Sequence, residues 1–148
     1  MIRPELLHPL FSHFPIAFLG VYPLLFLASF KWKELALFAR IALFAGVAGM
    51  FISIYLGDMA LERLMSSICN LPLVYDHESK AYNLLYFSLL LGGIDLVIQF
   101  RKMLILKIIQ TSFSICILYF LFQTGHSGSD LVYENGVAVK VAKECQER

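Results

Sequence analysis

The sequence predicts an all-α protein: a four-helix transmembrane bundle, antiparallel in up-down order, with both termini on the outer side. Three observations carry that class. Four runs of about twenty apolar residues recur along the chain, each able to cross a hydrocarbon core of roughly 30 Å as a helix. Hydrophobic residues make up 59% and charged residues 16%, with a mean hydropathy of +0.72, whereas ordinary soluble domains are about 25% charged. The first and third connections are short and basic, the mark of the cytoplasmic side. A formal net charge of +1 gives no global basic field, and so no nucleic-acid partner.

The spans are expected at 11–30, 36–57, 81–100 and 103–123, within a membrane domain of residues 1–139 followed by a polar tail, 140–148. The first span has Arg3 offset by Glu5 and is broken by Pro15 and Pro23. It therefore reads as a retained helix rather than a cleaved signal peptide. Pro15 suits a first turn, which starts helix proper near Phe14, and Pro23 predicts a kink. Lys31-Trp32-Lys33-Glu34 forms the first turn. In the second span Ala42, Gly46, Gly49 and Ser53 fall on one face of small residues, which lets another helix approach closely.

The stretch 57–80 is the one long connection, with Asp58 to Ser67 along the membrane surface and a turn at Asn70-Leu71-Pro72. Asp76 is placed to cap the third helix, putting His77 in its first turn. Arg101-Lys102 joins the third and fourth helices, which makes Asp95 and Lys107 the simplest pair for each other. Ser112, Cys116, Tyr119, Gln123 and His126 line one polar face of the fourth helix. Residues 125–139 then read as a glycine-rich turn and an extended segment. Cys69, Cys116 and Cys145 fit no zinc spacing. Cys69 and Cys145 share the outer side without an expected disulfide.

The inner loops and helix ends carry Lys31, Lys33, Arg40, Arg101, Lys102 and Lys107, which orients both termini outward. By parity His8, His13, His77 and His126 then share the outer rim. Ionisable side chains at a membrane are functional candidates.

The opening His8-Pro9-Leu10-Phe11-Ser12-His13-Phe14-Pro15-Ile16-Ala17 resembles that of a bacterial membrane family, the domain of unknown function numbered 2231. His77 matches a histidine that members carry at the start of the third span. Gly125, His126, Gly128, Leu131, Val132, Tyr133, Gly136, Val137 and Val139 match their ending. Ser129 stands where a second glycine is usual, and Asn135 where histidine often stands. The resemblance spans Leu7 to Val139 and implies a bacterial inner-membrane location. Fusions of relatives to Rieske-type or cytochrome-like modules imply a redox partner of that kind. The family has no settled activity to carry over.

Three readings of the rim remain open. In the first, His13 with His77 or His126 holds one b-type haem for electron transfer, beside the Ala17–Gly20 face. In the second, His13, His77 and His126 bind zinc or copper with Asp130, Asp76 or Glu78 nearby. The third is a non-catalytic subunit or scaffold. His8, Gly125, Gly128, Tyr133 and Gly136 are supporting residues. His8 is expected to matter least, because five positions from His13 it points elsewhere on the helix. Ser127 beside His126 lacks an orienting acid and an oxyanion site. The chain therefore reads as a binding or electron-transfer subunit, in contact with lipid and open to homo-oligomerisation, more than as a stand-alone enzyme.

Overall fold

The computed structural model describes residues 4–68, 70–100 and 104–138. Among them are four long helices and no strand: α1 (Pro4–Ala28), α2 (Leu35–Leu64), α3 (Leu71–Phe100) and α4 (Leu104–Tyr133), with a 3-10 turn at Met65–Ser67 after α2. All four are long and apolar enough to cross a membrane. Val139, the tail, Cys69, Cys145, Arg101 and Lys102 lie outside the described residues.

The exterior is apolar, the reverse of a soluble bundle. Phe122 is 68% exposed, Leu24 66% and Leu90 57%. Such a surface is stable against acyl chains, where exposing leucine costs nothing. The interior is a thin seam. Leu19, Tyr22, Leu43, Leu84, Leu91 and Ile117 are fully buried, and each helix contributes to it in steps of three and four residues. α1 and α3 each pack on both α2 and α4, and the α1–α2 contact is the most extensive.

That contact rests on the small-residue face of α2. Ala42, Gly46, Gly49 and Ser53 are all buried. A Cβ on Gly46 would stand 2.7 Å from the Leu19 side chain, and one on Gly49 3.0 Å from Cδ of Pro15. Glycine is required here for close approach, not for an unusual backbone.

The helices outrun the apolar segments at several ends. α1 opens at Pro4, not near Phe14, and continues through Pro9, Pro15 and Pro23. α2 runs on through Asp58-Met59-Ala60-Leu61-Glu62-Arg63-Leu64, residues of mostly high helix propensity. Hydropathy marks where lipid begins, whereas helix persists until the backbone is interrupted. α2, α3 and α4 are each 30 residues long, about 45 Å against a core of roughly 30 Å.

Three local expectations are corrected. Asp76 lies inside α3 and pairs with Lys80 one turn on, at 2.6 Å. Asp95 pairs with Arg40 of α2, not Lys107. The segment from Gly125 is helical as far as Tyr133. Gly136, at φ 66°, turns the chain back, with the Val137 N–H donating to the Leu131 carbonyl at 2.9 Å. The left-handed conformation at that position is one glycine adopts without a Cβ clash.

Candidate functional site

Two nodes, each built from all four helices, interrupt the apolar seam. The first is the histidine node. On α1 the buried residues Pro15, Leu19, Tyr22 and Phe26 advance by four, three and four. Continued backwards by the same steps, the stripe meets Ser12 and His8 and passes His13 by. On α3, Asp95, Leu91, Ser88 and Leu84 lead by the same rule to Ala81 and His77. His8 and His77 therefore meet across the diagonal of the bundle. Their ring centres are 6.4 Å apart with planes at 86°.

The other two helices hold these rings in place. Nδ1 of His8 lies 2.8 Å from the Ser53 carbonyl on α2. A carbonyl only accepts, so the proton is on Nδ1 and Nε2 carries the lone pair. Nδ1 of His77 lies 3.0 Å from Oγ of Ser127 on α4. That hydroxyl donates its proton to the Thr124 carbonyl at 3.1 Å, which leaves it to accept from Nδ1–H. In the neutral ring Nε2 of His77 is again the bare nitrogen. Gly57 and Gly128 complete the node. A Cβ at Gly57 would come within 3.2 Å of the His8 ring, and one at Gly128 within 3.1 Å of the His77 ring.

His13 and His126 are not in this node. His13 is exposed, and its Nδ1 donates to the Pro9 carbonyl of its own helix at 2.6 Å. The side chain of His126 is 57% exposed, with Nδ1 3.0 Å from Asp130, and it stands edge-on to Phe122. Gly125 has open space where a Cβ would go. Tyr133 is 86% exposed. Ser112, Tyr119 and His126 on the expected polar face of α4 are exposed. The buried positions of α4 are instead Gln110, Ser114, Ile117, Ser127 and Leu131. Among the described residues no three His, Cys, Asp or Glu side chains converge to hold a metal ion.

The second node is ionic. Nε of Arg40 on α2 donates to Asp95 on α3 at 2.7 Å. The Gln110 amide of α4 donates to the other carboxylate oxygen at 3.0 Å and to the Tyr22 hydroxyl of α1 at 3.2 Å. Because a carboxylate only accepts, the amide nitrogen must face it. Both carboxylate oxygens thus have partners, the condition for keeping a charge in an apolar bundle.

Each helix thus gives at least one residue to each node, among them His8 and Tyr22, Gly57 and Arg40, His77 and Asp95, Gly128 and Gln110. Along each helix the separation is roughly 21–27 Å, close to the thickness of a hydrocarbon core. The sequence reading placed Ser53 on the small-residue face but missed its carbonyl and Gly57 as neighbours of His8, and the inward position of His8 itself; the stripe running back from Phe26 is the signal for His8. No protein-family model, curated protein or solved structure matches this chain.

Proposed function

We propose that the chain is a multi-pass protein of the bacterial inner membrane, related to the domain of unknown function numbered 2231, that holds one b-type haem between His8 and His77 for electron transfer. The observation that carries this reading is the diagonal pair itself. An imidazole nitrogen bonds a transition metal at about 2.0 Å, so two rings on opposite sides of one ion have centres roughly 6 Å apart. The observed 6.4 Å is in keeping with that spacing.

The donor chemistry fits. Each ring carries its proton on Nδ1, anchored to an oxygen, which fixes the tautomer and leaves Nε2 to bind. His8 and His77, from diagonally opposed helices, would be the two residues holding a haem iron, whereas a structural zinc site needs four ligands. The absence of Cβ atoms at Gly57 and Gly128 lets the two flanking helices close directly on the imidazole rings. Bound haem would supply one-electron redox chemistry. His8 and His77 would hold and orient it, with both rings half-buried among the four helices.

The proposed membrane arrangement is up-down antiparallel with both termini outside. The residue order supports it: the helices run alternately from histidine node to ionic node and back. The basic residues Lys31, Lys33, Arg40 and Lys107 cluster near the ionic node, which supports a cytoplasmic reading of that end and an outer-rim reading of the histidines.

The test is an optical spectrum of detergent-purified protein, oxidised and then dithionite-reduced, with metal analysis of the same sample. A reducible Soret and α band, lost in His8→Ala and in His77→Ala but kept in His13→Ala, is the expected result. Stoichiometric copper or zinc without pigment would replace haem by a single ion. Neither pigment nor metal would make the pair a packing element and sink the proposal.

A further inference from the structure

At the ionic end a cavity of about 310 Å³ opens between the ends of the four helices, roughly ten water volumes. Its lining carries three cations, Lys33, Arg40 and Lys107, against the single carboxylate of Asp95. That carboxylate is already committed to Arg40 and Gln110. Lys33 and Lys107 are exposed and have no carboxylate partner among the described residues. Lys107 lies over the Phe30 ring, 6.0 Å from its centre, a contact that leaves the ammonium group free for an anion. Lysines flanking a cavity among apolar helix ends make a site for a negatively charged group.

We propose that this cavity binds the phosphate group of an anionic membrane lipid, held by Lys33 and Lys107 at the mouth with Arg40 behind them. Basic pockets between membrane helices on the cytoplasmic side are suited to anionic headgroups, and the apolar exterior beside the cavity accommodates the acyl chains. The lipid headgroup and free phosphate share this chemistry. The headgroup is favoured because the site opens at the edge of a lipid-facing surface. The inference is independent of the histidine node.

The experiment uses full-length protein in non-ionic detergent, read by native mass spectrometry for retained lipid and by thermal unfolding. Phosphatidylglycerol, phosphatidylcholine and inorganic phosphate are added in parallel. The wild type should retain phosphatidylglycerol and unfold at higher temperature with it, and phosphatidylcholine should do neither. K33Q/K107Q should bind phosphatidylglycerol roughly tenfold to thirtyfold more weakly, and K33R/K107R should restore binding. K31Q should behave as wild type, since Lys31 sits over the Trp32 ring at 4.8 Å and does not line the cavity. Circular dichroism checks that the variants are folded. If inorganic phosphate reproduces the wild-type shift and K33Q/K107Q loses it, the site still reads phosphate, with the free anion as its source. Equal retention of phosphatidylglycerol by wild type and folded K33Q/K107Q, or retention of phosphatidylcholine to the same extent, would overturn the proposal.

Discussion

Ser127 does two jobs with one hydroxyl: it donates to Thr124 and accepts from His77. Ser127→Ala removes the hydroxyl that accepts from the partly buried His77 N–H, at a cost of about 1–3 kcal/mol. Ser129→Ala, on the exposed side of the same turn, should change stability by less than about 0.5 kcal/mol. Detergent-denaturant titrations followed by circular dichroism would compare the two; equal effects would mean that His77 is not held as described. At the ionic node Arg40→Leu strands the Asp95 carboxylate and should destabilise by about 3 kcal/mol. Arg40→Leu/Asp95→Leu should recover part of that loss, because removing both charges leaves no uncompensated carboxylate, while Gln110 loses one acceptor and keeps the Tyr22 hydroxyl. A double variant worse than Arg40→Leu would show that the pair stabilises the bundle beyond mutual neutralisation.

The helices differ in how much of their packing the residue pattern reveals. On α2 the small-residue face was legible, since Gly46 and Gly49 stand where only a Cβ-free backbone lets Leu19 and Pro15 approach. Gly49→Ala should cost about 1–3 kcal/mol by overpacking against the Pro15 ring and backbone. Gly93→Ala and Gly125→Ala, where a Cβ meets open space, should each gain up to about 1 kcal/mol from helix propensity. Thermal unfolding of the three variants tests the contrast, which disappears if these helices do not pack as described. On α4 the pattern misled. Polar residues on a membrane helix can satisfy themselves within their own helix: Ser112 donates to the Ile108 carbonyl at 3.1 Å, and the Gln123 amide donates to the Tyr119 hydroxyl one turn back. A polar stripe there does not by itself mark the inward face. The heptad of burial through Gln110, Ser114 and Ile117 does.

For the molecule as a whole, topology is the property with the simplest check. Reporter fusions after Lys102 and after Arg148 should give opposite sides, the first cytoplasmic and the second outside. If both report the cytoplasm, the rim assignment of the histidines fails.

Length, composition and apolar runs alone determined that this is an all-helical protein with four segments fit for a membrane, because bilayer thickness and backbone satisfaction leave few alternatives. They also singled out the histidines, since ionisable side chains are rare in such a chain. Only the tertiary structure decided which of them meet. His8 and His13 differ by five residues, well over a third of a helical turn in direction. Which one looks inward depends on the rotation of α1 against α2, and that rotation is set by Pro15 and Leu19 seating on Gly49 and Gly46. The partner of Asp95 was likewise hidden: Lys107 and Arg40 both reach its depth, and the choice fell to side-chain direction across neighbouring helices. Apolar periodicity reports depth in the membrane far better than it reports rotation about a helix axis. Depth is fixed by transfer from water, whereas rotation is fixed by a few close contacts.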